Sequence, residues 1–199
     1  MEAPTPHRLP RAWYSASFPT FLSHSTAEVV GQLFLHSHAP PDPEQRDAWA
    51  AAVDLLKPLL ATRTGHLLLE FNIPRMGLRA DAVLLLPGCI VILEFKVGEK
   101  HPTPAARSQV WEYALDTKNF HEPSHALPII PVLVPTRWQS AELPPRQFAA
   151  DGVCQPIAVG VNLLPRLLDE LQREFPAGLD PQRWIAGRYK PTPTIIEAA

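Results

Sequence analysis

Two short motifs in the chain place an acidic residue two positions before a lysine, Glu94-Phe-Lys96 and Asp116-Thr-Lys118. An acid and an ammonium on one face can hold a cation beside a developing negative charge, the combination used in metal-assisted attack on a phosphate. Alone such a triplet is weak evidence, because about one is expected by chance in a chain of this length. The secondary structure around each motif must decide between them.

The two motifs fall in different kinds of element. Glu94 and Lys96 lie in an apolar, β-rich run at 89–97, whereas Asp116 and Lys118 lie in a predicted helix that begins at Thr103 and runs to about residue 120. Residues two apart share a face in a strand but point in different directions in a helix. Glu94 and Lys96 therefore project together, and we interpret the second triplet as a chance match.

A second β-rich run at 78–86 is separated from the first only by Pro87-Gly88, a turn pair. If these two residues are the whole loop of an antiparallel hairpin, the register places Asp81 opposite Glu94 and Arg79 opposite Lys96. Directly opposed Cβ atoms lie about 4.5–5.5 Å apart.

Carboxylates at that separation, among apolar neighbours, repel each other unless a cation lies between them. A hard divalent ion such as Mg²⁺ prefers such oxygen ligands. The spacing predicts that Asp81 and Glu94 bind a metal and that Lys96 stands beside it. The alternative is a solvated cross-strand charge network, in which Asp81 pairs with Lys96 and Glu94 with Arg79.

Further polar residues lie near this hairpin in the predicted order of elements. Glu70, in the preceding strand, is a candidate third acid or a solvated side chain. Gln109 and Tyr113 share a helix face, where Gln109 needs a polar partner such as Lys96 or a phosphate. Glu28 has the capping-box spacing from Ser25, which explains it without a catalytic role.

Hydrophobic periods and turn signals predict one mixed α/β fold. Helices begin near Ser25 and Asp42; strands follow at 66–73, 78–86 and 89–97, then a helix at 103–120, a strand at 129–134, a possible strand at 156–161 and a helix at 164–175. An antiparallel start followed by a helical crossover indicates a mixed central sheet with helices on its faces. Residues 1–22 are expected to form an extended arm.

Composition narrows the classes of protein. A net charge of -2 predicts poor affinity of the isolated chain for phosphate backbones. Two cysteines are too few for a disulfide framework or a four-cysteine zinc site, which favours a cytoplasmic setting. We find no apolar run long enough for a membrane span, no His-Glu-x-x-His motif and no phosphate-binding glycine loop.

Three quoted segments together resemble the PD-(D/E)XK (restriction-endonuclease-like) nuclease superfamily: Glu70-Phe-Asn-Ile-Pro-Arg-Met-Gly-Leu-Arg79-Ala-Asp81, Ile92-Leu-Glu94-Phe-Lys96 and Gln109-x-x-x-Tyr113. The usual Pro-Asp of that family is Ala80-Asp81 here. The resemblance implies an αβββαβ core and a nuclease that needs Mg²⁺ or Mn²⁺ and acts on DNA rather than RNA. It also implies that Asp81 and Glu94 bind the metal and that Lys96 is catalytic. We expect Lys96 to act as the base or as a stabiliser of the transition state, with support from Glu70 and Gln109. We expect Arg79 and Tyr113 to contact the substrate.

The segments Val110-Trp-Glu-Tyr-Ala-Leu-Asp-Thr-Lys-Asn-Phe-His and Tyr-Lys-Pro-Thr-Pro-Thr-Ile-Ile-Glu-Ala-Ala are similar to bacterial proteins in which such a nuclease precedes a P-loop helicase or ATPase. This implies a nuclease domain at 1–176, an extension at 177–199 and a helicase partner downstream, in a defence or repair role. The alternative is a catalytically silent module that binds nucleic acid or docks on a helicase.

Overall fold

The fold is that of a computed structural model, which describes residues 11–37, 40–73, 77–188 and 190–191. Its six strands are β1 (Tyr14–Ser17), β2 (His66–Asn72), β3 (Arg79–Leu85), β4 (Ile90–Lys96), β5 (Ile129–Pro135) and β6 (Ile157–Ala158). Its helices are α1 (Phe18–Ser23), α2 (Thr26–His36), α3 (Pro43–Leu60), α4 (Pro104–Phe120), α5 (Leu164–Glu174) and α6 (Pro181–Ile185).

The strands form one mixed sheet in the order β1-β2-β3-β4-β5-β6. The first four strands are antiparallel neighbours, and β4, β5 and β6 run parallel. The change of direction comes at α4, the crossover between β4 and β5, because parallel neighbours need a long connection whereas a hairpin suffices for antiparallel ones. The predicted mixed α/β fold is confirmed at this level.

Side-chain caps place the helix starts that the sequence predicted. Ser25 accepts the backbone N–H of Glu28 while the Glu28 carboxylate accepts the N–H of Ser25, so α2 opens with a capping box. Asp42 and Thr103 cap α3 and α4 by the single side-chain bond alone, each accepting the backbone N–H three residues on, with proline in the first turn. Glu28 is accounted for by this role at the helix end.

Helices cover both faces of the sheet and enclose two apolar cores. The first, here called the α3 core, joins one face to α1, α2, α3 and α5; it includes Val53, Leu69, Leu84 and Leu93. The second, the α4 core, joins the other face to α4 and α6 and includes Val110, Leu133 and Trp184. Burial on both faces explains the nearly continuous apolar runs of β3, β4 and β5.

The prediction of an extended N-terminal arm at residues 1–22 was wrong for residues 14–22. Residues 14–17 pair with β2 as an edge strand, and α1 follows at once. Phe18 and Phe21 of α1 are fully buried in the α3 core. The Pro- and Ser-rich composition concealed a strand of only four residues, too short to show a period.

The segment after residue 176 packs on the domain as far as the structure describes it. Trp184 of α6 is fully buried in the α4 core, and the Leu179 N–H donates to the carbonyl oxygen of Pro87 in the β3–β4 turn. The expected boundary at 176 therefore cuts through a packed region. Residues 192–199, the end of the expected extension, lie outside the described residues.

Gly88 is required in the β3–β4 turn by the closeness of this C-terminal segment. A Cβ at Gly88 would lie 2.5 Å from the carbonyl oxygen of Ala177 and 2.7 Å from that of Phe175. Both atoms belong to the backbone, which cannot turn aside as a flexible side chain can. The turn that sets the hairpin is thus held between its own strands and the chain beyond α5.

We predict that Gly88→Ala lowers the free energy of unfolding by about 1–3 kcal/mol, because the added methyl group overpacks the turn. Urea unfolding measures the change. Gly31→Ala is the matched control: Gly31 is exposed inside α2 with nothing within 4 Å of an added Cβ. It should raise stability by roughly 0.5–1 kcal/mol, the propensity gain of alanine over glycine in a helix. Equal effects of the two changes would contradict the packing described for Gly88.

Within the described part of the chain, no helix is both long and apolar enough to cross a membrane.

Candidate functional site

The hairpin register agrees with the sequence prediction over its paired length. Ala82 pairs with Leu93, Val83 with Ile92, and Leu85 with Ile90. The pairing ends at Ala82, one residue before the expected opposition of Asp81 and Glu94. Beyond that point β3 and β4 separate, and the Asp81 carboxylate bridges the gap by accepting the Phe95 N–H at Oδ2, 2.7 Å away.

Strands β2 and β3 kink together at Glu70 and Asp81. Leu69 pairs with Ala82 and Phe71 with Ala80, so the two acids occupy the register position between these pairs. Leu69 and Ala82 belong to the α3 core, whereas Phe71 and Ala80 belong to the α4 core. Residues two apart in a regular strand share a face, so both strands switch faces here.

Glu70 shows the backbone side of this kink. It has φ of 52°, the one positive value among the described residues other than glycine. The left-handed region is unfavourable for a side chain of this kind and persists where surrounding contacts enforce it. Strain of this sort is typical of functional sites.

Glu94 carries a buried carboxylate with one unpaired oxygen. Its alternation with Ile92 and its pairing with Leu133 place it on the α4 face, 4% exposed. Oε1 accepts a hydrogen bond from Lys96 Nζ at 2.8 Å, whereas Oε2 is buried without a hydrogen-bond partner. A buried carboxylate oxygen without a donor is costly, and a cation is one group that would satisfy it.

Lys96 joins the strand to α4 through a chain of hydrogen bonds. Its Nζ donates to Gln109 Oε1 at 3.0 Å, and Gln109 Nε2 donates to the Tyr113 hydroxyl at 2.7 Å. The predicted partnership of Gln109 with Lys96 is present. Tyr113 is only 2% exposed, so it supports Gln109 from within the α4 core, and the expected direct contact with a substrate does not fit this position.

Arg79 is not opposite Lys96, because it lies past the point where β3 and β4 separate. It pairs instead with Asn72 of β2, and its Nε donates to Glu70 Oε2 at 2.8 Å. The guanidinium lies 4.0 Å from the centre of the Trp13 ring. Arg79 remains 35% exposed, so its outer face is accessible from solvent.

Glu70 uses both carboxylate oxygens within the protein. Oε1 accepts the Trp49 indole N–H at 2.7 Å and Oε2 accepts from Arg79. The carboxylate is therefore engaged in holding Arg79 and Trp49, which argues against its being a third metal ligand. The sequence did not indicate Trp49 as a site residue, because it showed only the helical period of a core residue. Trp13 could be interpreted as a base-stacking or a core residue, and its contact with Arg79 was not predicted.

Burial and like charges raise the pKa of both acids. The pKa of Asp81 lies well above its usual value, because the carboxyl group is removed from water and lies close to the charges of Glu94 and Glu70. The pKa of Glu94 is raised by burial, although its hydrogen bond with Lys96 opposes the shift. Apart from any cation, the site resists holding two ionised carboxylates.

The pKa of Lys96 is raised as well. Burial alone would lower it, but the hydrogen bond and charge of Glu94, with the charge of Asp81, outweigh that effect. Lys96 is therefore protonated at neutral pH. The charge network expected as the alternative does not form, since Lys96 pairs with Glu94 and Arg79 with Glu70.

Asp81 and Glu94 are the side chains that could hold a metal ion here. No group of three or more His, Cys, Asp or Glu side chains arranged for a metal occurs in the described part of the chain. A cation held by two carboxylates would take its remaining ligands from water and substrate, a common arrangement for Mg²⁺. The unpaired Glu94 Oε2 and the raised pKa values fit such an ion.

The second acid-x-lysine triplet lies away from this site. Lys118 is buried on α4, where its Nζ donates to the carbonyl oxygen of Leu127 at 2.8 Å. Its role is to tie α4 to the loop before β5.

The chain matches no protein-family model, no curated protein and no solved structure. The geometry of the site therefore carries the functional argument.

We predict that Asp81→Asn leaves the metal-free protein at least as stable as the parent at pH 7. When the pKa of an acid is higher in the folded than in the unfolded state, the protein becomes less stable as pH rises above the unfolded pKa, which is about 3.9 for aspartate. Asparagine removes that cost and can still accept the Phe95 N–H. Thermal melts in EDTA should show the advantage of the variant growing from about pH 4 toward neutrality.

Asp81→Ala is the control for the hydrogen bond. It also removes the charge, but it leaves the Phe95 N–H without its partner, and should be about 1–3 kcal/mol less stable than Asp81→Asn. An Asp81→Asn protein whose stability falls increasingly below that of the parent as pH rises would show that the carboxylate stabilises the hairpin in its ionised form.

Proposed function

We propose that this chain is a nuclease that hydrolyses phosphodiester bonds with a divalent metal ion, Mg²⁺ or Mn²⁺, and that its substrate is DNA in preference to RNA. The observation that carries the proposal is the Glu94 carboxylate, which is buried with Oε2 unpaired, is hydrogen-bonded to the Lys96 ammonium and lies close enough to Asp81 for the two like charges to interact. An ordinary structural ion pair needs one acid and one base. Here a second acid is added at the cost of like-charge repulsion.

Asp81 and Glu94 would hold the metal. When bound, a divalent cation polarises a phosphate oxygen and lowers the pKa of a coordinated water. The protein's part is to hold Asp81 at the kink of β3, where Asp81 accepts the Phe95 N–H, and Glu94 on the neighbouring strand β4.

Lys96 acts as an electrostatic stabiliser in this proposal. Its raised pKa keeps it protonated, so it is suited to offset the negative charge that develops on the phosphate and poorly suited to remove a proton. Gln109 and Tyr113 fix the direction of its ammonium group from α4. The side chain is 31% exposed, which leaves it accessible to a substrate.

Arg79 is proposed to bind a phosphate of the substrate. Glu70 and Trp13 hold the inner side of the guanidinium, and a planar, preorganised guanidinium favours phosphate recognition. Glu70 is thus a positioning residue rather than a metal ligand.

The order α3, β2, β3, β4, α4, β5 is the αβββαβ order of the PD-(D/E)XK superfamily that the sequence resembles. It supports, by analogy, membership of that superfamily. The same resemblance suggests that a P-loop helicase or ATPase domain cooperates with the chain, which would also supply contacts to DNA that a net charge of -2 makes scarce.

We predict that the purified chain cuts single-stranded, duplex or branched DNA with Mg²⁺ or Mn²⁺ and not with EDTA. Asp81→Asn, Glu94→Gln and Lys96→Met should each lower the single-turnover rate by several orders of magnitude, since each removes a group that acts in the transition state. Gel assays with DNA and RNA in parallel measure the rates and the preference.

Glu99→Gln and Lys100→Ala are the matched controls, because they make comparable charge changes at exposed positions just after β4. They should cut at the parental rate. A Lys96→Met protein that remains folded and cuts normally would overturn the assigned mechanism. Metal-independent binding with no cutting of any substrate would instead favour the silent docking module.

Metal binding should also raise the thermal stability of the protein. At about a hundred times its dissociation constant, Mg²⁺ or Mn²⁺ should stabilise the parent by roughly 2.7 kcal/mol, or about 5–11 °C in melting temperature. Asp81→Asn should gain far less, because a neutral amide is a weaker ligand. A parent whose melting temperature ignores both ions would refute the metal site independently of any cleavage assay.

A further inference from the structure

A cavity of about 100 Å³ opens directly beside the site, on the α3 side of the sheet. Asp81 and Glu70 form part of its wall, and Leu33, Trp49 and Phe95 supply apolar and aromatic surface. Val97, 52% exposed, also lines it and extends the apolar surface toward solvent. Asp81, one of the two carboxylates proposed to hold the metal, thus borders an apolar cavity that the hydrolysis itself does not use.

The cavity exists because α3 presents small residues toward it. Ala48 and Ala52, one helical turn apart, face the cavity beside Trp49. A larger side chain at either position would fill the space. Gln45, one turn before Ala48 and Trp49 and exposed, adds an amide that can both donate and accept hydrogen bonds.

The size and lining fit one planar ring. An apolar protein cavity of roughly 150 Å³ holds a benzene molecule. The cavity here is smaller but opens to solvent at Val97, so a single six-membered ring can enter with its polar edge at the mouth, whereas the fused rings of a purine would project further out of it. A base has a π-face for the aromatic and aliphatic walls and a polar edge that the Gln45 amide could read.

We propose that this cavity binds one unpaired pyrimidine base of the substrate strand, next to the bond that is cut. The inference rests on the proposed nuclease function and adds a preference for single-stranded pyrimidine sequence. A base inside a duplex is stacked and paired, so it cannot enter without being extruded.

The test compares Ala48→Leu, which fills the cavity, with Ala51→Leu, the same change at an exposed position of α3. The substrate is oligothymidine, intact or with one stable abasic residue placed in turn on each side of the cut bond. In the parent, one abasic position should slow cutting about tenfold, the effect of losing one stacked base. Ala48→Leu should cut the intact strand about as slowly as the parent cuts the abasic strand. Its rate should not fall further when the abasic residue is placed at that position. Ala51→Leu should behave as the parent.

Gln45→Ala provides a second variant should Ala48→Leu fail to fold, because its exposed side chain is removed without filling the core. It should narrow the preference for oligothymidine over oligodeoxyadenosine. A folded Ala48→Leu protein that cuts at the parental rate would overturn the pyrimidine site. So would a Gln45→Ala protein that keeps the parental rate and the parental preference for oligothymidine.

Binding keeps this test separate from that of the proposed function. If the parent cuts no substrate, the nuclease proposal fails, and fluorescence anisotropy of labelled oligothymidine at low salt still judges the cavity. Weaker binding by Ala48→Leu than by Ala51→Leu supports the site, and equal binding refutes it.

Discussion

The kink that β2 and β3 share at Glu70 and Asp81 determines where the charged side chains of the site can lie. Without it, strand alternation would direct both acids into the packed α4 core. Because both strands switch faces at one register position, Asp81 is freed to bridge toward β4 and Glu70 to reach Trp49 and Arg79. The left-handed backbone of Glu70 is the local cost of this arrangement.

Two polar units depend on the kink from opposite sides of the sheet. Toward α4, Glu94, Lys96, Gln109 and Tyr113 form a continuous chain of hydrogen bonds. Toward α3, Glu70 connects Trp49 to Arg79. Asp81 lies between them, and the charges of both Glu94 and Glu70 raise its pKa. The site is therefore built from two rigid supports that meet at one carboxylate, which suits a centre whose groups must be held before the substrate arrives.

Local sequence rules were sufficient for the hairpin. The Pro87-Gly88 pair determined the loop length, the loop length determined the register, and the strand period placed Glu94 and Lys96 together. The same rules placed the caps of α2 and α3, since a capping bond involves residues only three apart. These features share a short range along the chain.

The features that escaped prediction involve long-range contacts or a single unusual residue. No sequence pattern marks the positive φ at Glu70. The prediction therefore assumed a regular register along the whole hairpin, and that register placed Arg79 opposite Lys96. Glu70 accepts a hydrogen bond from Trp49, which lies in another element, the helix α3. The face of the Arg79 guanidinium packs against Trp13, which belongs to the segment predicted to be an extended arm. Edge strand β1 is too short for a period, and Trp13 lies immediately before it in the chain.

The seating of the hairpin turn against the C-terminal segment has a mechanical consequence. Tension applied along the chain beyond α6 would act on the hydrogen bonds that Arg188 and Lys190 make with Glu122 and Phe120, and then on Trp184, anchored in the α4 core. Only after these would it reach the Leu179–Pro87 hydrogen bond at the turn. The buried indole therefore shields the hairpin from a pull on the C-terminal segment. Once that anchor yields, the next contact to be loaded is at the turn from which the strands of Asp81 and Glu94 diverge.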